Sequence, residues 1–107
     1  MNQSEPVIAF STIDDEKEAA KIAKALVEAH LAACVNIVPQ MRSIYEWKEE
    51  ICDEAEVLLI IKTQQNRIEE LKAILEELHP YEVPELIVLP VVDGLPVYLS
   101  WLITNTK

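Results

Sequence analysis

Glycine is nearly absent: the chain of 107 residues holds one, Gly94. Loops that cradle dinucleotides or phosphates need glycines so that backbone can approach the phosphates, which excludes the Rossmann and phosphate-loop classes and any nucleotide cofactor. No GxSxG, HExxH or calcium-loop pattern stands in the chain either. Basic residues are also scarce, nine against nineteen acidic ones, for a formal net charge of −10. A field of that sign repels nucleic acid and anionic membrane surfaces, so neither is expected as a partner. No apolar run approaches the roughly 20 residues that span a bilayer. The opening MNQSEPV lacks the basic start and apolar core of an export signal, so the expected compartment is the cytoplasm. Cysteine is limited to Cys34 and Cys52, which form no CxxC or other metal spacing, and two thiols in an unexported chain are read as reduced.

What is present has the balance of a globular protein, 50% apolar and 26% charged. The length suits one domain over residues 1–107. "VIAFST" (7–12) reads as a short strand closed by Thr12 or Asp14 as helix cap. From Asp15 to about Leu31, Ala19, Ile22, Ala23, Leu26, Val27 and His30 recur at helical spacing, with acidic residues at the positive N-terminal end. Residues 33–47 are rich in β-formers and read as a long bent strand, with Pro39 marking a bulge or an edge. "KEEICD" (48–53) then turns the chain into a continuous apolar strand, "EVLLIIKT" (56–63). A second helix follows over 64–78 with Thr63 available as cap, then a fourth strand over 84–91, an Asp93-Gly94 turn and a short last helix.

The order βαββαβ plus a C-terminal helix points to the α+β class: a ferredoxin-like split βαβ sandwich with two helices on one face of an antiparallel sheet. Two helices cover one face only, yet residues 57–61 are apolar at every position. The alternate side chains must find cover elsewhere, so self-association through the sheet is expected.

"LAACVNI" (31–37), "SIYEW" (43–47), "LLIIKT" (58–63), "HPYEVPEL" (79–86) and "YLSWL" (98–102) together resemble the CutA family of divalent-cation-tolerance proteins, over nearly the whole chain. The resemblance implies a non-enzymatic ferredoxin-like homotrimer associated with tolerance and binding of divalent metals, copper among them. The architecture is also similar to PII-type signalling trimers, which implies as alternative a regulatory trimer that binds a small metabolite between subunits. Three positions depart from the family pattern. Ser11 stands where copper-binding members have cysteine and Leu78 where they have a second histidine, leaving His79 as the metal candidate. Soft copper(I) prefers thiolate, so its affinity should fall. Glu49 replaces the glycine of the family's hairpin tip, which is therefore expected to use a turn other than the positive-φ glycine type.

Two readings of His79 stand side by side. Before Pro80 it must end the second helix, where the dipole favours its protonated form; as a metal ligand it needs companions, with Glu82 and Glu85 nearest in sequence. His30 reads as a packed or capping residue, and Ser11 and Thr12 as strand-end and cap residues rather than nucleophiles. Tyr45, Trp47, Tyr81, Tyr98 and Trp101 read as interface packing. Tyr45, Trp47, Lys62, Tyr81 and Glu85 are the alternative, candidates for lining a cleft between subunits. The acidic run Glu49, Glu50, Asp53, Glu54 and Glu56 reads as a solvated guard on the hairpin edge, with loose attraction of divalent ions as the alternative.

Overall fold

The computed structural model describes residues 5–107. The readings placed on MNQS, as part of one domain and as a non-exported start, lie outside the described residues. Four strands and three helices follow in the order β1 (Pro6–Ile13), α1 (Glu16–Glu28), β2 (Cys34–Trp47), β3 (Glu50–Gln64), α2 (Ile68–Leu78), β4 (Ile87–Pro90) and α3 (Pro96–Thr104). The antiparallel sheet runs β2-β3-β1-β4, the ferredoxin-like arrangement.

Register decides which side chains meet. Ala9 pairs with Ile61, Ser11 with Leu59 and Ile13 with Val57, so these residues share one face. On that face Ala9, Ile13, Val57, Leu59 and Ile61 form one buried cluster with Ile22 and Leu26 of α1 and Leu71 and Leu75 of α2. The opposite face carries Ile8, Phe10, Leu58, Ile60, Val38, Ile87 and Leu89, by the same pairing. The last helix packs against β3 and β1, and Gln64 bonds to Ile103 and Thr106 at its end. Val38, Ile87 and Leu89 nevertheless remain exposed.

Helix ends depart from expectation in instructive ways. Thr12 and Asp14 do not cap α1, because β1 stays paired through Ile13; Asp15 caps it instead, accepting the Lys17 N–H at 2.8 Å. The helix stops at Glu28 rather than near Leu31, leaving Val27 and His30 exposed. His30 sits at φ 60, its N–H on the Val27 carbonyl, while the Leu31 N–H reaches Leu26, the two bonds of a Schellman ending. Thr63 is no cap either: β3 continues through Gln64 and a 3-10 turn, Gln65–Arg67, precedes α2. Strand β4 begins at Ile87, not Pro84, since Pro84 and Glu85 belong to the loop that swings toward the end of β1.

The hairpin is longer than its sequence suggests. Residues 50–53 do not turn; they extend β3, and only Lys48 and Glu49 lie between Trp47 and Glu50. Diagonal pairs across the ribbon hold it: Arg42 grips Asp53 through two bonds, 2.8 and 2.6 Å, and the Tyr45 hydroxyl donates to Glu54 at 2.5 Å. Asp53 is held below the usual carboxylate range by the Arg42 hydrogen bonds. Beyond Val57 the ribbon has no β1 beside it and projects as a two-stranded arm, giving the molecule its 44 Å long axis. At Pro39 and Gln40 the β2 register slips by one residue, the expected bulge.

The arm's tip overturns one expectation. Lys48 has φ 51 and Glu49 φ 68, so the two-residue turn is of the mirror-image type that favours glycine, although no glycine is there. The right-handed twist of the ribbon selects this turn regardless of side chain. A left-handed residue with a Cβ costs roughly 1–2 kcal/mol. Glu49→Gly should therefore stabilise the protein by about 1 kcal/mol, read as a higher denaturant midpoint; an unchanged or lowered midpoint contradicts strain at the tip.

Candidate functional site

Where the arm, the end of β1 and the loop after α2 meet, an open groove of about 700 Å3 forms. The arm contributes one face: Ser43, Tyr45 and Trp47 follow one another at every second residue of β2, on the same side as Glu54 and Glu56 of β3. Thr12 and Asp14 close one end, and Tyr81, Glu82, Val83 and Glu85 form the remaining wall.

His79 builds that wall. A residue before proline is excluded from the α region, and His79 accordingly leaves α2 in extended conformation, φ −77 and ψ 131. Its ring is buried, with Nε2 2.8 Å from the Thr12 carbonyl and Nδ1 3.1 Å from the Tyr81 N–H. A carbonyl only accepts and an N–H only donates, so the neutral tautomer protonated on Nε2 satisfies both. The charged histidine expected at the helix end is not what these partners ask for. Neither nitrogen keeps a free lone pair for a metal in this arrangement. The ring instead fastens the loop to β1 and stacks edge-on against Tyr81, centroids 4.6 Å apart.

Tyr81 extends the chain of contacts, donating its hydroxyl to Glu56 Oε2 at 2.6 Å. Burial, and then the Glu56 hydrogen bond, push the Tyr81 phenol well above its ordinary value. The Tyr45 phenol is pushed up as well, chiefly by its hydrogen bond to Glu54. Both phenols thus stay neutral donors to carboxylates over the whole physiological range.

Four of the five cleft candidates, Tyr45, Trp47, Tyr81 and Glu85, come together here. Lys62 does not: its ammonium lies over Tyr98 at 5.9 Å, beside α3. The other family ligand positions are also elsewhere. Ser11 is fully buried on the helix-facing side with no partner for its hydroxyl, and Leu78 packs against the core. Glu56, read from sequence as part of a solvated edge, is instead 7% exposed. The signal was alternation with Leu58 and Ile60 on the second face. Asp14 was read only as a possible cap and Glu82 only as a companion to His79, and Val83 carried no signal, because a loop residue's direction follows from packing. Among the described residues, no group of three or more His, Cys, Asp or Glu converges to hold a metal ion.

The family model described as CutA1 divalent ion tolerance protein matches residues 7–105. The chain belongs to this family. Protein CutA of Mus musculus is 53% identical over 93 residues, covering 87% of this chain and 52% of that protein. The divalent-cation tolerance protein CutA of Thermus thermophilus is 48% identical over 99 residues, 92% of this chain and 96% of that one. This chain therefore spans about half of the mouse relative and nearly all of the bacterial one. A solved structure of a divalent cation tolerance protein from Thermus thermophilus superposes with a TM-score of 0.92 at 46% identity, covering 95% of this chain and 99% of that one. No helix among the described residues is long and apolar enough to cross a membrane.

A phenol whose ionisation is raised by folding stabilises the fold fully below its free value near 10, and that stability drains away above it. Alkaline titration should show unfolding above about pH 10, with Tyr45 and Tyr81 resisting ionisation until the fold opens. Tyr81→Phe should remove one resistant phenol from the absorbance profile. Two freely ionising phenols at those positions in the folded protein contradict the Glu54 and Glu56 contacts.

Proposed function

We propose that this chain works as a non-enzymatic homotrimer in divalent-cation tolerance, copper among the ions, in a reducing compartment such as the cytoplasm. The observation that carries the assembly is the uncovered second sheet face, continuous with an arm that has no neighbour. On the arm's other face Ile44 (65% exposed) and Ile51 (74%) are uncovered as well, and Leu95 (77%) stands exposed just before α3. A two-stranded ribbon is marginal in water unless something packs on it, and sister chains supply identical faces. Free Cys34 and Cys52 suit reducing surroundings. The Ser11 hydroxyl is fully buried and has no hydrogen-bond partner, which supports reading it as a strand residue rather than a nucleophile.

A resident metal does not fit the residues as arranged. His79 would have to surrender the Thr12 carbonyl or the Tyr81 N–H, and among the described residues no convergent carboxylates accompany it. Ion contact is therefore assigned to the field of the trimer, three times −10 or −30 from the sequence charge, which gathers cations loosely. A second reading, a PII-like trimer that binds a metabolite, is favoured by one observation, the aromatic-walled groove of about 700 Å3.

Sedimentation at micromolar concentration should show a three-chain species, and Ile60→Asp on the second face should shift it to smaller ones. A folded wild-type monomer sinks the assembly. Titration calorimetry with copper(II) and zinc should give weak heats that fade with added salt, and His79→Ala should lower the unfolding temperature more than it alters those heats. A tight, salt-resistant heat that disappears in His79→Ala restores the histidine as a ligand.

A further inference from the structure

We propose that the joint between α2 and the loop after it is an acid-operated latch: the neutral His79 ring holds the loop to the end of β1, and a proton taken up by that ring releases it. The joint is made entirely by groups of one chain, whatever the groove holds.

The first ground is the pairing of the two ring nitrogens. Nε2 lies 2.8 Å from the Thr12 carbonyl and Nδ1 lies 3.1 Å from the Tyr81 N–H, and both partners are backbone groups with fixed roles. A neutral ring meets them by carrying its proton on Nε2, whereas an imidazolium donates from both nitrogens. A proton on Nδ1 therefore sets N–H against N–H, and the bond to Tyr81 is lost. The ring is 6% exposed, so an N–H left unpaired there carries the full cost of a buried polar group. A charged ring and a closed loop exclude each other.

The second ground is that the surroundings favour the proton that Tyr81 refuses. The ring stands at the end of α2, where the helix dipole attracts positive charge and the last turn holds no basic residue. Glu76 and Glu77 precede it on its own helix. Asp14 follows β1, Glu56 comes from β3 and meets the Tyr81 hydroxyl, and Glu82 and Glu85 belong to the loop. No lysine, arginine or second histidine lines the groove behind them. Electrostatics and hydrogen bonding thus oppose one another at this ring, and both are satisfied only when the loop lifts.

The third ground is how little else holds the loop. Residues 80–85 make no backbone–backbone hydrogen bond. Beyond the ring, the ties are the Tyr81 hydroxyl on Glu56 and the Thr12 hydroxyl on Glu85, the latter at 3.4 Å. Leu86, packed against the core, marks the far end of the loose stretch. A segment with so few bonds opens locally, well below the free energy that unfolds the sheet. Since the open form binds a proton that the closed form does not, the closed loop loses stability as the pH falls.

The test is hydrogen exchange on the full chain in its native assembly and in metal-free buffer, corrected for the intrinsic effect of pH. Measurements run between about pH 8 and about pH 5, either side of a free histidine's ordinary value near 6.5. Protection of the amides of residues 81–86 should fall roughly tenfold on acidification, while β1 and β3 keep theirs. His79→Gln, which donates and accepts without taking a proton, should lose this acid response whether or not it holds the loop; His30→Asn should retain it. Nitrogen NMR of the wild-type ring should show the Nε2-protonated tautomer at the upper pH. Unchanged protection down to about pH 5 overturns the latch, as does an acid response that persists in His79→Gln, which would place it on the carboxylates. Loss of protection in loop and sheet together, or a ring charged while the loop stays protected, overturns it equally.

Discussion

Two helices can shield one face of a four-stranded sheet, and the rest of this structure follows from the fact that β3 is apolar on both. Val57, Leu59 and Ile61 close the core beneath α1 and α2, while Leu58 and Ile60 point the other way and are half-buried at best. The same strand then runs past the end of β1 as one edge of a free arm. Its second face changes character at Glu56, from aliphatic to acidic, and that change makes a groove out of what would otherwise be a further stretch of oily surface. The aliphatic and the acidic surfaces are thus adjacent parts of one face.

Glycine scarcity shapes the fold in a second way. The sole glycine does not use its conformational freedom, for Gly94 has no positive φ; a Cβ there would instead crowd the Leu99 side chain at 3.1 Å. Among the described residues, four with side chains carry the left-handed geometry: His30, Gln40, Lys48 and Glu49. Each lies where an element must stop or bend: a Schellman helix ending, a bulge and the two centres of a hairpin turn. Strain is accepted at these points because the ladder and the helix packing on either side determine the path. The arm keeps its twist at the expense of its tip.

The histidine between helix and strand turns out to be a joint with chemistry in it. Its two nitrogens are spent on backbone groups 67 and 2 residues away, so its imidazole positions Tyr81 and, through Tyr81, the buried Glu56. A residue that resembles a family ligand by sequence acts here on the groove indirectly. That is consistent with the loss of the companions at Ser11 and Leu78, which lie on the core side of the sheet and helix, away from the acidic wall.

Element order, the helix-facing stripe, the bulge at Pro39 and the demand for a cover on the second face were all legible in residue order, because period-two and helical spacing map directly onto faces. The tip at Glu49 was misread, since ribbon twist, a property of paired strands, overrides a residue's preference. Asp15 as cap, the early end of α1 and the late start of β4 were missed for a related reason: strand pairing decides how far an element extends. The groove lay further out of reach. Tyr45, Trp47, Tyr81 and Glu85 carry family likeness in the sequence, but that they share one cavity with Asp14 and Glu56, while Lys62 stands apart, is a matter of register and of one histidine holding a loop to β1. Local patterns set each side chain's face; only the paired sheet determined which distant faces came to border the same space.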